Sequence, residues 1–206
     1  GDGYAQGTSF RSFNYFVNVS KRINDNHQLS LLFFGAPQQH YGRSNALIPS
    51  EWEKVKNYMT DGKHWSRYNP DYGFGINGQR KTSDFNEYHM PQAFLNHIWQ
   101  INEKSNLSST FYVSIGRGNG YTGYGRDGYS EYDWYGSDYG ILNTKFRSID
   151  GTFDYSKIQT MNAESDNGSK MILAKQCGNH DWYGLVSTYE NAITNNLTLQ
   201  TGFDLR

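Results

Sequence analysis

Three pairs of segments in which apolar and polar residues alternate, each pair closed by a short polar turn, constrain this chain more than any other feature. From Phe13 to Ile23, the side chains of Phe13, Tyr15, Val17, Val19 and Ile23 fall on one face, and those of Ser12, Asn14, Asn18, Ser20 and Arg22 on the other. Phe16 on the polar face and Lys21 on the apolar face interrupt the pattern. A period of two is the mark of a strand with unlike faces. Asn24-Asp25-Asn26-His27 forms a compact polar turn, and a second strand is expected near 28–37. The motif recurs near 92–101, with Leu95, Trp99 and Ile101 opposite Asn96 and Gln100. After the turn Asn102–Asn106, Leu107, Phe111, Val113 and Ile115 alternate with Ser108, Thr110, Tyr112 and Ser114, a strand expected near 107–117. The third pair, near 181–190 and 197–206, is joined through Asn191–Asn196. Its last strand sets Leu197, Leu199, Phe203 and Leu205 against Thr198, Gln200, Asp204 and Arg206, and the sequence stops inside it.

Between the hairpins lie two long segments, near 38–91 and 118–180, rich in Gly, Tyr, Asn, Asp and Ser. Compact soluble domains seldom carry two such connections. Short turns alternating with long loops, and strands of about ten residues, are expected of outer-membrane barrels. The first loop holds one expected short helix. Ser50-Glu51-Trp52-Glu53 has the form of a capping box, Trp52, Val55 and Met59 follow at helical spacing, and Asp61-Gly62 reads as its stop. Gly116-Arg117-Gly118-Asn119-Gly120 opens no helix, so it reads as a flexible exit from a strand and not as a phosphate cradle.

Composition narrows the function classes. Glycine (22) and tyrosine (17) are abundant and proline is scarce (4), which favours strands and irregular loops. A net charge of -1 without a Lys/Arg cluster gives no footprint for nucleic acid. The single cysteine, Cys177, excludes an internal disulfide, and the six scattered histidines match no metal-ligand spacing. No run approaches the length of a membrane helix. A mean hydropathy of -0.81 is still compatible with a membrane barrel, whose strands show lipid only every second residue.

Alternation alone does not separate a barrel from a soluble sandwich. The aromatics near turn ends, Trp99 and Tyr189, suit an interfacial girdle, and the Asn/Ser/Thr/Gln-rich opposite faces suit a wet lumen. The expected fold is therefore all-β: a portion of an antiparallel transmembrane β-barrel, with short periplasmic turns, two long extracellular loops and one short helix. Tyr15, Val17, Val19, Phe111, Val113 and Leu199 are expected to face lipid. Single-chain barrels begin at about eight strands, so six make part of a wall.

A family resemblance rests on three stretches. They are the opening Gly1-Asp2-Gly3-Tyr4-Ala5-Gln6-Gly7-Thr8, the hairpin Ser20-Lys21-Arg22-Ile23-Asn24-Asp25-Asn26-His27-Gln28 with Gly35-Ala36-Pro37-Gln38-Gln39-His40 at its loop side, and the final Leu197-Thr198-Leu199-Gln200-Thr201-Gly202-Phe203-Asp204-Leu205-Arg206. Together they resemble the barrel of TonB-dependent outer-membrane receptors of Bacteroidetes-type bacteria. The resemblance implies a barrel of about 22 strands around an N-terminal plug, which is absent from these 206 residues. It implies import of a scarce nutrient (oligosaccharide, peptide, siderophore or cobalamin-like chelate) across the outer membrane, with loops facing the exterior. The implied partners are the rest of the barrel and plug, the TonB complex acting through that plug, and the nutrient. A surface lipoprotein partner is left open. Neither catalysis nor a cofactor is implied.

Transport needs an external binding site and a wet path. In the first loop the candidates are His40, Tyr41, Arg43, Trp65, Arg67 and Tyr68, and in the second Tyr121, Tyr124, Tyr132, Trp134 and Tyr135, with Arg126 and Tyr129 in the same run. Tyrosine and tryptophan offer flat apolar faces with a polar edge, suited to sugar rings or peptide groups. Asp127, Glu131, Asp133 and Asp138 supply hard oxygens but lack EF-hand spacing. Two competing classes remain at this level: a soluble aromatic-rich β-protein binding carbohydrate, and a β-rich hydrolase using two loop carboxylates.

Overall fold

The computed structural model describes residues 1–43, 46–59, 64–135 and 137–206; the Asp61-Gly62 helix stop lies outside them. The chain forms two compact units. The sheet unit comprises Ser12–Gln38, Tyr88–Gly118 and Gly178–Arg206, and the loop unit Gly1–Arg11, Gln39–Glu87 and Asn119–Cys177.

Among the described residues, six of the nine strands of the main sheet form the three hairpins: β1 (Tyr15–Arg22), β2 (His27–Gly35), β3 (Gln92–Asn102), β4 (Ser105–Gly125), β5 (Met171–Thr194) and β6 (Leu197–Leu205). They neighbour one another in chain order. The β1–β2, β2–β3, β3–β4 and β5–β6 pairs are antiparallel. Side-chain amides and a hydroxyl shape the turns between paired strands. Asn24 Oδ1 accepts from the N–H groups of Asn26 and His27, Asn102 Oδ1 from Lys104, and Thr194 Oγ1 from Asn196.

Register lines up like with like. Val19, Leu31, Leu95 and Phe111 lie side by side across four strands, and Val17, Phe33, Ala93 and Val113 form the next row. On the reverse face Ser20, Ser30, Asn96 and Thr110 form a row, the last three joined by side-chain hydrogen bonds. Asn96 donates to Ser30 Oγ at 3.3 Å and accepts from Thr110 at 2.8 Å. Rings also sit on this reverse face: Phe16 lies opposite Phe34, and Phe94 stacks on Phe34 at 5.9 Å and meets Tyr112 at 6.2 Å. Cross-strand pairs of this kind hold the sheet and fix its register.

Two sequence expectations need correction here. The fourth and fifth strands run to 105–125 and 171–194, well past 107–117 and 181–190, and the Gly116–Gly120 run lies inside β4 as strand. Its backbone is held by pairing with neighbouring strands, which leaves no alternation of side chains to read. The third turn narrows to 195–196, because Ala192 and Thr194 still pair across a bulge with Thr198 and Leu197.

In the loop unit, helix α1 (Pro49–Val55) starts one residue before Ser50. Pro49 presets the helical φ at the first position, Ile48 is the N-cap, and no side-chain cap bond forms. The expected capping box is therefore not made. The expected apolar face is: Val55 is fully buried with Leu47, Tyr68 and Leu142, and Trp52 and Met59 pack on that cluster. Glu51 points inward. At 4% exposure it accepts the N–H of Leu142 at 3.2 Å and the Lys54 ammonium at 2.5 Å.

The hydrogen bond from Lys54, opposed by burial, holds the Glu51 carboxyl below the usual carboxylate range. A depressed folded pKa contributes stability above the unfolded value and loses it as pH falls through the folded one. Loop-unit stability is therefore expected to drop on acidification below about pH 4.5, and Glu51→Gln should flatten that drop while lowering stability at neutral pH. Thermal melts from neutral to acidic pH check this; parallel curves for the two proteins would contradict it.

The second cluster surrounds a helix the sequence reading did not anticipate, α2 (Tyr155–Ala163). Asp154 caps it by accepting from the Lys157 N–H at 3.0 Å. Tyr155 and Ile158 pack with Trp134, Phe146, Phe153 and Met171. Just before α2, Phe153–Asp154 pairs in parallel with Gly73–Phe74, which also pairs antiparallel with Arg80–Lys81.

Candidate functional site

A cavity of about 830 Å³ lies within the loop unit and gathers several of the aromatic residues expected to matter. One side is the opening segment. An Asp2–Ser9 bridge folds it back on itself, the Gly3 N–H donates to the Thr8 carbonyl, and the left-handed Gly7 admits the Tyr72 ring against the backbone. Tyr41, on the short strand Gln38–Tyr41, is tied to this segment through its N–H to the Ser9 carbonyl at 2.9 Å. The other sides come from Tyr121 of β4, Trp134, and Tyr155, Ile158 and Gln159 of α2.

Tyr41, Phe85 and Tyr121 form a ring series, with Phe85 5.0 Å from Tyr41 and 4.7 Å from Tyr121. Behind it, Glu87 accepts from Asn119 at 2.7 Å and from Lys175 at 3.0 Å, and the Lys175 ammonium lies 5.4 Å from the Phe85 ring centroid. Those two hydrogen bonds hold the Glu87 carboxyl below its usual range. Burial, then the neighbouring Tyr121 and Glu87, push the Tyr41 phenol up, with Lys175 opposing. Tyr41 therefore stays protonated near neutral pH as a donor and acceptor, not a base.

The structure sorts the eleven predicted site residues. Tyr41, Arg67, Tyr121 and Trp134 line the cavity. Trp134 does so from a buried position, its indole N–H donating to the Tyr124 carbonyl at 3.0 Å. Tyr68 is buried in the first cluster with its hydroxyl on the Gly151 carbonyl at 2.7 Å, and it does not line the cavity. Burial pushes its phenol well up. Arg43 braces the loop by donating to the carbonyls of Ser66 and Tyr68 at 2.6 and 2.8 Å, and its guanidinium carbon lies 5.6 Å from the Trp52 ring centroid. Trp65 packs on Trp52 at 5.4 Å. His40 is half-buried on the strand of Tyr41, Tyr135 is half-buried after the turn Glu131–Trp134, and Tyr124 and Tyr132 are exposed. None of these four lines the cavity.

Sequence reading missed Tyr72, Arg80 and the α2 residues at this site. The signal for α2 was present: an Asp N-cap followed by Tyr155, Ile158 and Met161 at three-residue steps. Arg80 carries no such mark, because its place depends on the pairing of Phe74 with Arg80.

Chemically, the lining is a mix of aromatic rings, hydroxyls, amides and two arginines. Among the described residues Asp2 is the one acid in the lining. Of the acids weighed as calcium ligands, Asp133 is engaged with the Ser130 N–H and Lys145. Among the described residues no group of three or more potential metal ligands occurs. No family model, no curated protein and no solved structure matches this chain.

Proposed function

We propose that the chain is part of the wall and outer loops of an outer-membrane β-barrel receptor that captures a nutrient and imports it with TonB-coupled energy. The observation that carries this reading is the apolar face of the sheet unit. Val19, Leu31, Leu95 and Phe111, contiguous across four strands, are 61, 51, 45 and 48% exposed. An apolar patch of this kind facing water is costly, and lipid is the solvent it fits. The reverse face carries the Ser30–Asn96–Thr110 hydrogen-bond row, as a wet lumen requires.

The ends of the apolar face fit the same reading. Next to the turns, His27 stacks on Trp99 at 5.4 Å and on His97 at 5.2 Å, and Lys21 lies one row inward, where a long side chain reaches the headgroups. At the opposite end the Tyr15 hydroxyl meets His89 Nε2 at 2.8 Å. β1, β2, β3 and β6, of 8, 9, 11 and 9 residues, match the length that crosses a bilayer at a tilt. β1 and β6 end the strand order, and further barrel strands would pair with their free edges.

Extraction tests the reading. The intact protein should stay in the membrane fraction through alkaline carbonate and urea washes and become monodisperse only in detergent. A cooperatively folded, monodisperse protein in plain buffer would contradict it.

A further inference from the structure

We propose that the loop-unit cavity is the capture site and that it takes an anionic sugar, a short chain of pyranose rings bearing carboxylate or sulfate groups. This rests on the transport reading for the nutrient's role; the site itself rests on the groups the cavity presents.

Two guanidinium groups, of Arg67 and Arg80, line it against one acid, Asp2. Among the described residues neither arginine has an ion-pair partner. Arg67 is positioned by its backbone: its N–H donates to the His64 carbonyl at 3.0 Å and its own carbonyl accepts from Gln6 at 2.8 Å. Its guanidinium carbon lies 5.1 Å from the Tyr4 ring centroid. Its Nε is buried without a hydrogen-bond partner among the described residues. A buried guanidinium donor without an acceptor is costly, and a carboxylate or sulfate oxygen is the acceptor that suits its fork.

The rest of the lining suits a polyhydroxylated ligand. The hydroxyls of Tyr72 and Tyr121 have no hydrogen-bond partner among the described residues. Gln159 uses its carbonyl oxygen on the Ile76 N–H, which leaves its amide N–H groups for a ligand. Tyrosine faces accept the C–H side of a pyranose while their edges reach its hydroxyls. The volume suits a ligand of a few rings.

Calorimetry on the detergent-solubilised intact protein tests the proposal with three probes: trigalacturonate, a sulfated chondroitin disaccharide, and neutral maltotriose. At least one charged probe should bind, more weakly as salt rises, with maltotriose at least about 30-fold weaker. Arg67→Gln and Arg80→Gln should each weaken the charged probe about 10-fold or more. Arg80 is exposed, so its variant tests the site even if Arg67→Gln impairs folding. Equal binding of maltotriose, no binding of either charged probe, or an unchanged Kd in Arg80→Gln would overturn the assignment. Membrane extraction is read separately, so failure here leaves the barrel reading standing, and failure there leaves the site to be judged on its own.

Discussion

Leu95→Arg is expected to prevent stable assembly of the protein in its membrane. Leu95 sits in the middle of the apolar face, between Leu31 and Phe111 in register. A charged side chain facing lipid near the bilayer midplane costs about 2–4 kcal/mol in a β-barrel, and both register partners here are hydrocarbon. The comparison is Ser108→Arg, on the reverse face opposite Ile98 and exposed. A wet lumen accommodates that arginine within about 0.5 kcal/mol, the usual range for surface changes. Urea unfolding from lipid vesicles, followed by tryptophan fluorescence, measures both. The sign is what discriminates: were Leu95 facing water, exchanging an exposed leucine for arginine would be neutral or favourable, and the two variants would behave alike.

Gly73→Val is expected to unfold the loop unit locally. Gly73 lies in the central strand of the three-stranded sheet, paired in parallel with Phe153. A Cβ there would run into the carbonyl oxygen of Phe153, a backbone atom that cannot rotate away. Phe153 is fully buried in the cluster that seats α2, so a shift of its strand disturbs Trp134 and Tyr155 together. Overpacking of this sort costs about 3 kcal/mol. Gly78→Ala gives the contrast: Gly78 has a φ of +70° and open space around it, so only its left-handed backbone resists, at about 1 kcal/mol. Limited trypsin digestion at Lys145 and Arg147 reads the difference, with rapid cleavage expected for Gly73→Val and near-native resistance for Gly78→Ala. Unchanged resistance in Gly73→Val would contradict the packing described.

These two experiments probe features of unequal legibility. The alternation through Val17, Val19, Phe111 and Val113 is local, because a strand writes its two faces into consecutive residues. The structure keeps those side chains on one face of the sheet. The glycine-rich stretch in β4 and the residues at 171–180 of β5 are also strand, but backbone pairing holds them and no side-chain period records it. At the cavity, Tyr41, Arg67, Tyr121 and Trp134 were visible as aromatic and basic loop residues. What composition did not separate was free from engaged groups. Arg43 and Tyr68 look as suitable as Arg67, yet Arg43 Nη1 and the Tyr68 hydroxyl are spent on the carbonyls of Ser66, Tyr68 and Gly151. That distinction depends on contacts between distant parts of the chain, such as Tyr155 with Asp71 at 2.6 Å.

The central claim, that one face of the sheet unit meets lipid and the other water, is tested most directly by spin labels placed singly at each residue from Phe16 to Lys21 of the intact protein in lipid bilayers. Collision rates with oxygen, which concentrates in lipid, and with a water-soluble nickel chelate should alternate with a period of two and in opposite phase. Labels at Val17 and Val19 should favour oxygen, and those at Asn18 and Ser20 the chelate. Equal chelate accessibility at all six positions, or chelate preferred at Val17 and Val19, would contradict the account.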